Sequence, residues 1–61
     1  MNGKCVTTRR DVALIEARAF LMWVAWEHGF APEHRVCWGD SSLQERHAAL
    51  KIAAQELGYA I

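Results

Sequence analysis

Residues Val12 to Trp26, VALIEARAFLMWVAW, organise this chain, and the last seven of them, Phe20 to Trp26, are all apolar. At about 100° of rotation per residue, Val12, Ile15, Ala19, Met22 and Trp26 share one side of a helix. Leu14, Ala17, Leu21 and Val24 form a second stripe on the opposite side. Arg9, Glu16 and Glu27 lie on one dividing strip, and Asp11 and Arg18 lie on the other. A surface helix needs one apolar stripe; a helix with two must be covered on two sides. Glu16 and Arg18 interrupt the run, and Arg9, Arg10, Asp11 and Glu27 flank it. A membrane span needs roughly 20 predominantly apolar residues, so burial in protein is the expectation.

Working outward, Thr8 followed by Asp11 approximates a capping box and starts the helix near residue 8. Gly29 followed by Phe30 reads as a left-handed C-terminal cap with a hydrophobic partner, ending it at His28. Pro32 blocks continuation. Glu33 to Asp40 reads as an irregular connection docked through Val36, Cys37 and Trp38. A second helix starts at Ser41 or Ser42: Ser42 with Glu45 and Ser41 with Gln44 both match the capping box. Leu43, Leu50, Ala54 and Leu57 form its apolar face, Ala53 is marginal, and Ala48 falls on the outer side. Gly58 and Tyr59 repeat the Gly-aromatic ending.

These elements predict an all-α fold, an antiparallel two-helix hairpin over about 8–28 and 42–57. They fill one small domain over residues 1–61, with 1–6 as a flexible N-terminal tail. The single narrow face of the second helix covers one stripe of the first. An uncovered stripe of that size is rare on a monomer, so the expectation is a homodimer in a four-helix arrangement. The regular, aliphatic Leu14 stripe is matched to the leucines of the second helix. The dimer seam then falls to Val12, Ile15, Ala19, Met22 and Trp26, which include adaptable or interface-prone types.

Composition narrows the function. Seven basic residues balance seven acidic ones, so there is no electrostatic footprint for nucleic acid or anionic lipid. Roughly a dozen residues separate the helices, against the three or four of a DNA-binding helix-turn-helix. The second helix carries only Arg46 and Lys51 as cations. His28, His34, Cys37 and His47 are the available soft ligands, and their spacing matches no zinc pattern. Cys37 has no third residue or oxyanion donor to make it a nucleophile, and reads as a small buried apolar residue. No enzymatic activity, cofactor or metal is expected. Without a secretory signal in view, Cys5 and Cys37 are expected as free thiols in a cytoplasm. Three tryptophans exceed what so small a core needs. Trp38 with Arg35, and with them Trp23 and Phe30, are the candidate contacts for another protein; the alternative for Trp38 is to fold inward as a lid over the hairpin.

The segment Trp38-Gly-Asp-Ser-Ser-Leu43-Gln-Glu-Arg46-His-Ala-Ala49-Leu50-Lys-Ile-Ala53 resembles a pattern of short phage and prophage proteins, a Trp before a capped helix of the form L-x2-R-x3-L-x2-A. The layout of the chain also looks like the small helical early proteins of Pseudomonas-type temperate phages. Some of these silence host regulators, including quorum-sensing activators and pilus motor ATPases, and others inhibit CRISPR complexes. The resemblance implies a non-enzymatic inhibitor that binds a host protein, such as a transcriptional regulator. A small DNA-binding regulator and a structural subunit of a larger assembly are the alternatives.

Overall fold

The computed structural model describes residues 3–60. Two helices carry the architecture: α1, Arg9–Glu27, and α2, Leu43–Glu56. Between them the chain makes two single turns of 3-10 helix, Pro32–His34 and Trp38–Asp40. The fold is all-helical, and the two helices pack as a hairpin.

Both helix starts follow from their first residues. Thr8 accepts from the Asp11 amide at 3.1 Å, while the Asp11 carboxylate accepts from the Thr8 amide at 3.1 Å. Ser42 and Glu45 make the same reciprocal pair. Two otherwise orphaned amides are thereby satisfied at each end. Ser41, the other candidate cap, is buried and donates to the Trp38 carbonyl instead.

The helix ends differ from each other. Gly58 has φ +87°, and the Tyr59 and Gly58 amides donate back to the Ala54 and Gln55 carbonyls. This is a full Schellman ending, which needs a residue without a Cβ penalty at positive φ. Gly29 does not repeat it: among the described residues Gly58 alone has positive φ. The chain leaves α1 through successive tight turns, Gly29 to Trp26 and Phe30 to Glu27. Phe30 consequently stays half-exposed rather than folding back on the last turn. The Glu27 side chain supplies the anchor there, accepting from the Val36 amide at 2.7 Å.

The core is small and rich in alanine. Ile15, Ala19, Ala49, Ala53, Ala54 and Tyr59 are buried, with Met22, Trp38, Leu50 and Leu57 packed against them. Ala19 and Ala53 are both at 0% exposure. This corrects the assignment of the stripes. Ile15, Ala19 and Met22, read from the sequence as the centre of a dimer seam, face α2 of their own chain. Val12 and Trp26, at the ends of that stripe, remain exposed. The Leu14 stripe, expected to meet α2, points away from it. The physical reason is the distance between axes: alanines on both helices permit an approach that leucines on both would hold apart. On α2 the same preference turns Ala49 and Ala53 inward and leaves Leu43 68% exposed.

The terminal segments close the hairpin. The Lys4 amide donates to the Gly58 carbonyl at 2.8 Å and the Ala60 amide donates to the Lys4 carbonyl at 2.7 Å. The segment read from sequence as a tail is thus paired at Lys4, whose ammonium also lies 4.7 Å over the Tyr59 ring. Gly3 is packed so closely that a Cβ there would fall 2.7 Å from both the Ala60 nitrogen and the Gly58 oxygen. Met1 and Asn2 of the expected tail lie outside the described residues.

Candidate functional site

Among the apolar surfaces left uncovered on the described residues, the packing of α1 creates two that could meet a partner. The first is the outer face of α1. Once Ile15 and Ala19 turn inward, the opposite stripe faces outward: Leu14 is 49% and Leu21 61% exposed, with Phe20 half-exposed beside them and Ala17 between. Arg18 borders this face, but its guanidinium is drawn off to Glu56 of α2, at 2.9 Å. That ion pair is half-exposed and contributes little stability. Its effect is positional, since it takes a cation away from the apolar stripe.

The second surface is a groove of about 190 Å³ between the end of α1 and the start of α2. Met22, Trp23 and Trp26 form one wall, and Ala48, Ala49 and Ile52 the other. Glu27 and Glu45 are the charged residues at its edge. Ala48, read from the sequence as lying on the outer side of α2, therefore lines this groove. The groove exists because alanines stand where larger side chains would fill the space, while Trp26 is held 68% exposed above them.

The residues expected to touch a partner are split by the structure. Trp23 and Trp38 meet edge to face, ring centroids 5.7 Å apart, and Trp38 packs against the core. The Trp23 indole N–H donates to the Val36 carbonyl at 2.8 Å. This pair fastens the connecting segment to α1 through a half-buried indole whose N–H is satisfied. Arg35 is exposed and donates from Nε to the Phe30 carbonyl at 3.0 Å, closing the turn after α1. Trp26 and Ile52, not singled out as partner contacts from the sequence, are the large apolar side chains left open at the groove.

A second polar knot sets the entry to α2. Arg46 donates from Nε to Ser41 Oγ at 3.1 Å and from Nη2 to the Ser41 carbonyl at 3.0 Å. Ser41 Oγ in turn donates to the Trp38 carbonyl at 2.6 Å. The turn that carries Trp38 is thus held from α2. At the opposite end of the hairpin, Asp11 accepts the Tyr59 hydroxyl on Oδ1 at 2.6 Å, and the Thr7 and Thr8 amides on Oδ2 at 3.1 Å each. The Tyr59 hydroxyl is the largest cause holding the Asp11 carboxyl well below the usual carboxylate range, followed by the Thr7 amide. The same bond, with burial and the carboxylate charge, raises the Tyr59 phenol above its ordinary value.

Chemistry-bearing residues do not converge. Among the described residues no three of His, Cys, Asp and Glu come together in a metal-binding group. Cys5 and Cys37 are both free and exposed, which corrects the reading of Cys37 as a buried apolar residue; it stands immediately before the single turn Trp38–Asp40. No helix among the described residues is long and apolar enough to cross a membrane. Comparison with protein-family models, with characterised proteins and with solved structures finds no match for this chain.

Proposed function

We propose that this chain is a small protein-binding module that acts as a homodimer, joined through the outer face of α1. The observation that carries the reading is the exposed stripe of Leu14, Ala17 and Leu21, with Phe20 at its edge, on a hairpin whose own second helix is already used. A second copy fits this stripe in the spacing of its side chains. In an antiparallel α1–α1 pair with the two-fold near Ala17, Leu14 of each chain falls opposite Leu21 of the other. On the flanking strip Arg18 of each chain comes near its own copy at the two-fold, and the ion pair with Glu56 draws it aside. Ala17 at the axis permits close approach. Such a pairing makes four helices joined by three seams and removes this apolar stripe from solvent.

Nucleic-acid binding has less behind it. Arg46 is committed to Ser41 and Arg18 to Glu56, and the net charge is zero. A phosphate-binding surface needs free, clustered cations.

Cross-linking tests the reading. With Cys5 and Cys37 changed to Ser, Ala17→Cys near the two-fold should form an intersubunit disulfide on mild oxidation, because the two thiols approach each other. Gln44→Cys, on exposed α2 surface, should form no intersubunit disulfide under the same conditions. Equal cross-linking at both positions would remove the case for a seam on α1.

A further inference from the structure

The groove at the connected end of the hairpin is distinct from the α1 outer face, and its edge has a definite chemistry. We infer that it is a docking site for a cationic, apolar segment of a partner protein, one that presents a large aliphatic or aromatic anchor flanked by lysine or arginine. The inference rests on reading the chain as a protein-binding module, but it uses a different surface from the one assigned to self-association.

Three observations carry it. The walls are apolar, from Met22, Trp26, Ala48 and Ile52, and offer room for a large side chain but no polar group to orient a small ligand. An occupant must therefore bring hydrophobic area. The charged lining residues are both acidic, Glu27 and Glu45. Both carboxylates are also fixed in advance. Glu27 is held through Oε1 by the Val36 amide, and Glu45 through Oε1 by the Ser42 amide and hydroxyl. In each case Oε2 makes no hydrogen bond among the described residues. Two immobilised carboxylates beside an apolar trough repel an acidic segment and attract a basic one, with little ordering cost on this side. Trp26 over the trough adds an aromatic face of the kind that cations and apolar anchors both favour.

The substitutions Glu27→Gln and Glu45→Gln separate charge from structure. Glutamine keeps the Oε1 acceptor for Val36, and it retains the capping box at Ser42. The probes are two synthetic helical peptides with Leu and Phe at i and i+4, one flanked by lysines and the other by glutamates, titrated against the tryptophan fluorescence of the full chain. The lysine peptide should bind more tightly at low salt by roughly three- to tenfold, the scale of two exposed ion pairs. That preference should disappear in the double Gln variant and shrink with salt. Ala48→Trp should fill the groove and abolish binding of both peptides while the melting curve is retained. Equal affinity for the two peptides, or a preference that survives the double Gln variant, overturns the inference. Dissociation of a dimer by Ala48→Trp also overturns it, because the groove would then belong to a second copy. Loss of peptide preference with an intact α1 dimer would leave the self-association reading standing, so the two failures are distinguishable.

Discussion

Tyr59 donates its hydroxyl to Asp11 Oδ1 at 2.6 Å, a bond between residues forty-eight positions apart that ties the start of α1 to the end of α2. The same carboxylate caps α1 through its other oxygen. One acidic side chain therefore serves the helix start and the closure of the hairpin together.

Stability should depend on pH at both ends of the range. The folded state lowers the Asp11 carboxyl, so the unfolded chain takes up a proton first. The contribution is present above the unfolded value of about 3.9 and falls away as the pH drops below it. The folded state raises the Tyr59 phenol, so this contribution is present below about pH 10 and is lost as the pH climbs through the raised value. In Tyr59→Phe, melting temperature at neutral pH should fall, and the further drop between neutral pH and pH 2 should be smaller than in the parent. Melting curves at those two pH values check this; an unchanged acid dependence would mean that the bond does not form.

Ala19 and Leu43 should respond in opposite ways to changes in size. Ala19 has no exposed surface and sits in the seam with α2. Ala19→Leu should overpack it and cost about 1–3 kcal/mol. Leu43→Ala removes a side chain that is 68% exposed and should stay within about 0.5 kcal/mol of the parent. Urea denaturation of the two variants is sufficient, and a larger effect at Leu43 than at Ala19 would restore the leucine-lined seam.

That contrast marks where the sequence was legible. Thr8 with Asp11 and Ser42 with Glu45 located both helix starts, because a capping box is local and its donors lie within one turn. Two apolar stripes on α1 could also be counted from periodicity alone. Which stripe meets α2 could not be settled from residue size. The leucine stripe looked like the natural core, but helix–helix distance is a property of both partners, and Ala19 with Ala49 and Ala53 allows the closer seam. Gly29 and Gly58 carry the same local pattern yet end their helices differently, since Glu27 and Val36 hold the first ending through a contact nine residues apart. The pairing of Lys4 with Gly58 and Ala60 has no periodic signal, because one bridge does not need an alternating strand. The groove was invisible for a related reason: Ala48 reads as outer surface until Trp26 and Ile52 are seen to line the space beside it.

Arg46→Met should release the turn that carries Trp38 while keeping most of the apolar stem. Losing the bonds to Ser41 Oγ and the Ser41 carbonyl should cost about 1–2 kcal/mol. It should also speed hydrogen exchange at the Ser41 and Asp40 amides, which donate to Trp38 and Cys37. Unchanged exchange at those amides would show that the Trp23–Trp38 contact alone holds the turn.

Cys5 and Cys37 should both titrate as free thiols in protein purified without reductant. Cys5 follows Lys4, which is paired to Gly58 at the end of α2, whereas Cys37 precedes the start of α2. The length of that helix, roughly 20 Å at 1.5 Å per residue, separates them far beyond disulfide reach. Finding no thiols in a monomeric chain would contradict the hairpin geometry.

The most direct test of the self-association reading is sedimentation of the parent chain and Leu21→Glu over the micromolar range. Leu21 is 61% exposed on the outer face of α1 and makes no part of the hairpin core. The parent should sediment as a dimer. Leu21→Glu should sediment as a monomer that keeps its helical circular dichroism, because each chain would place a carboxylate against Leu14 of the other. A parent chain that is a compact monomer throughout, or a Leu21→Glu variant that remains dimeric, would contradict the assignment of α1's outer face as the seam.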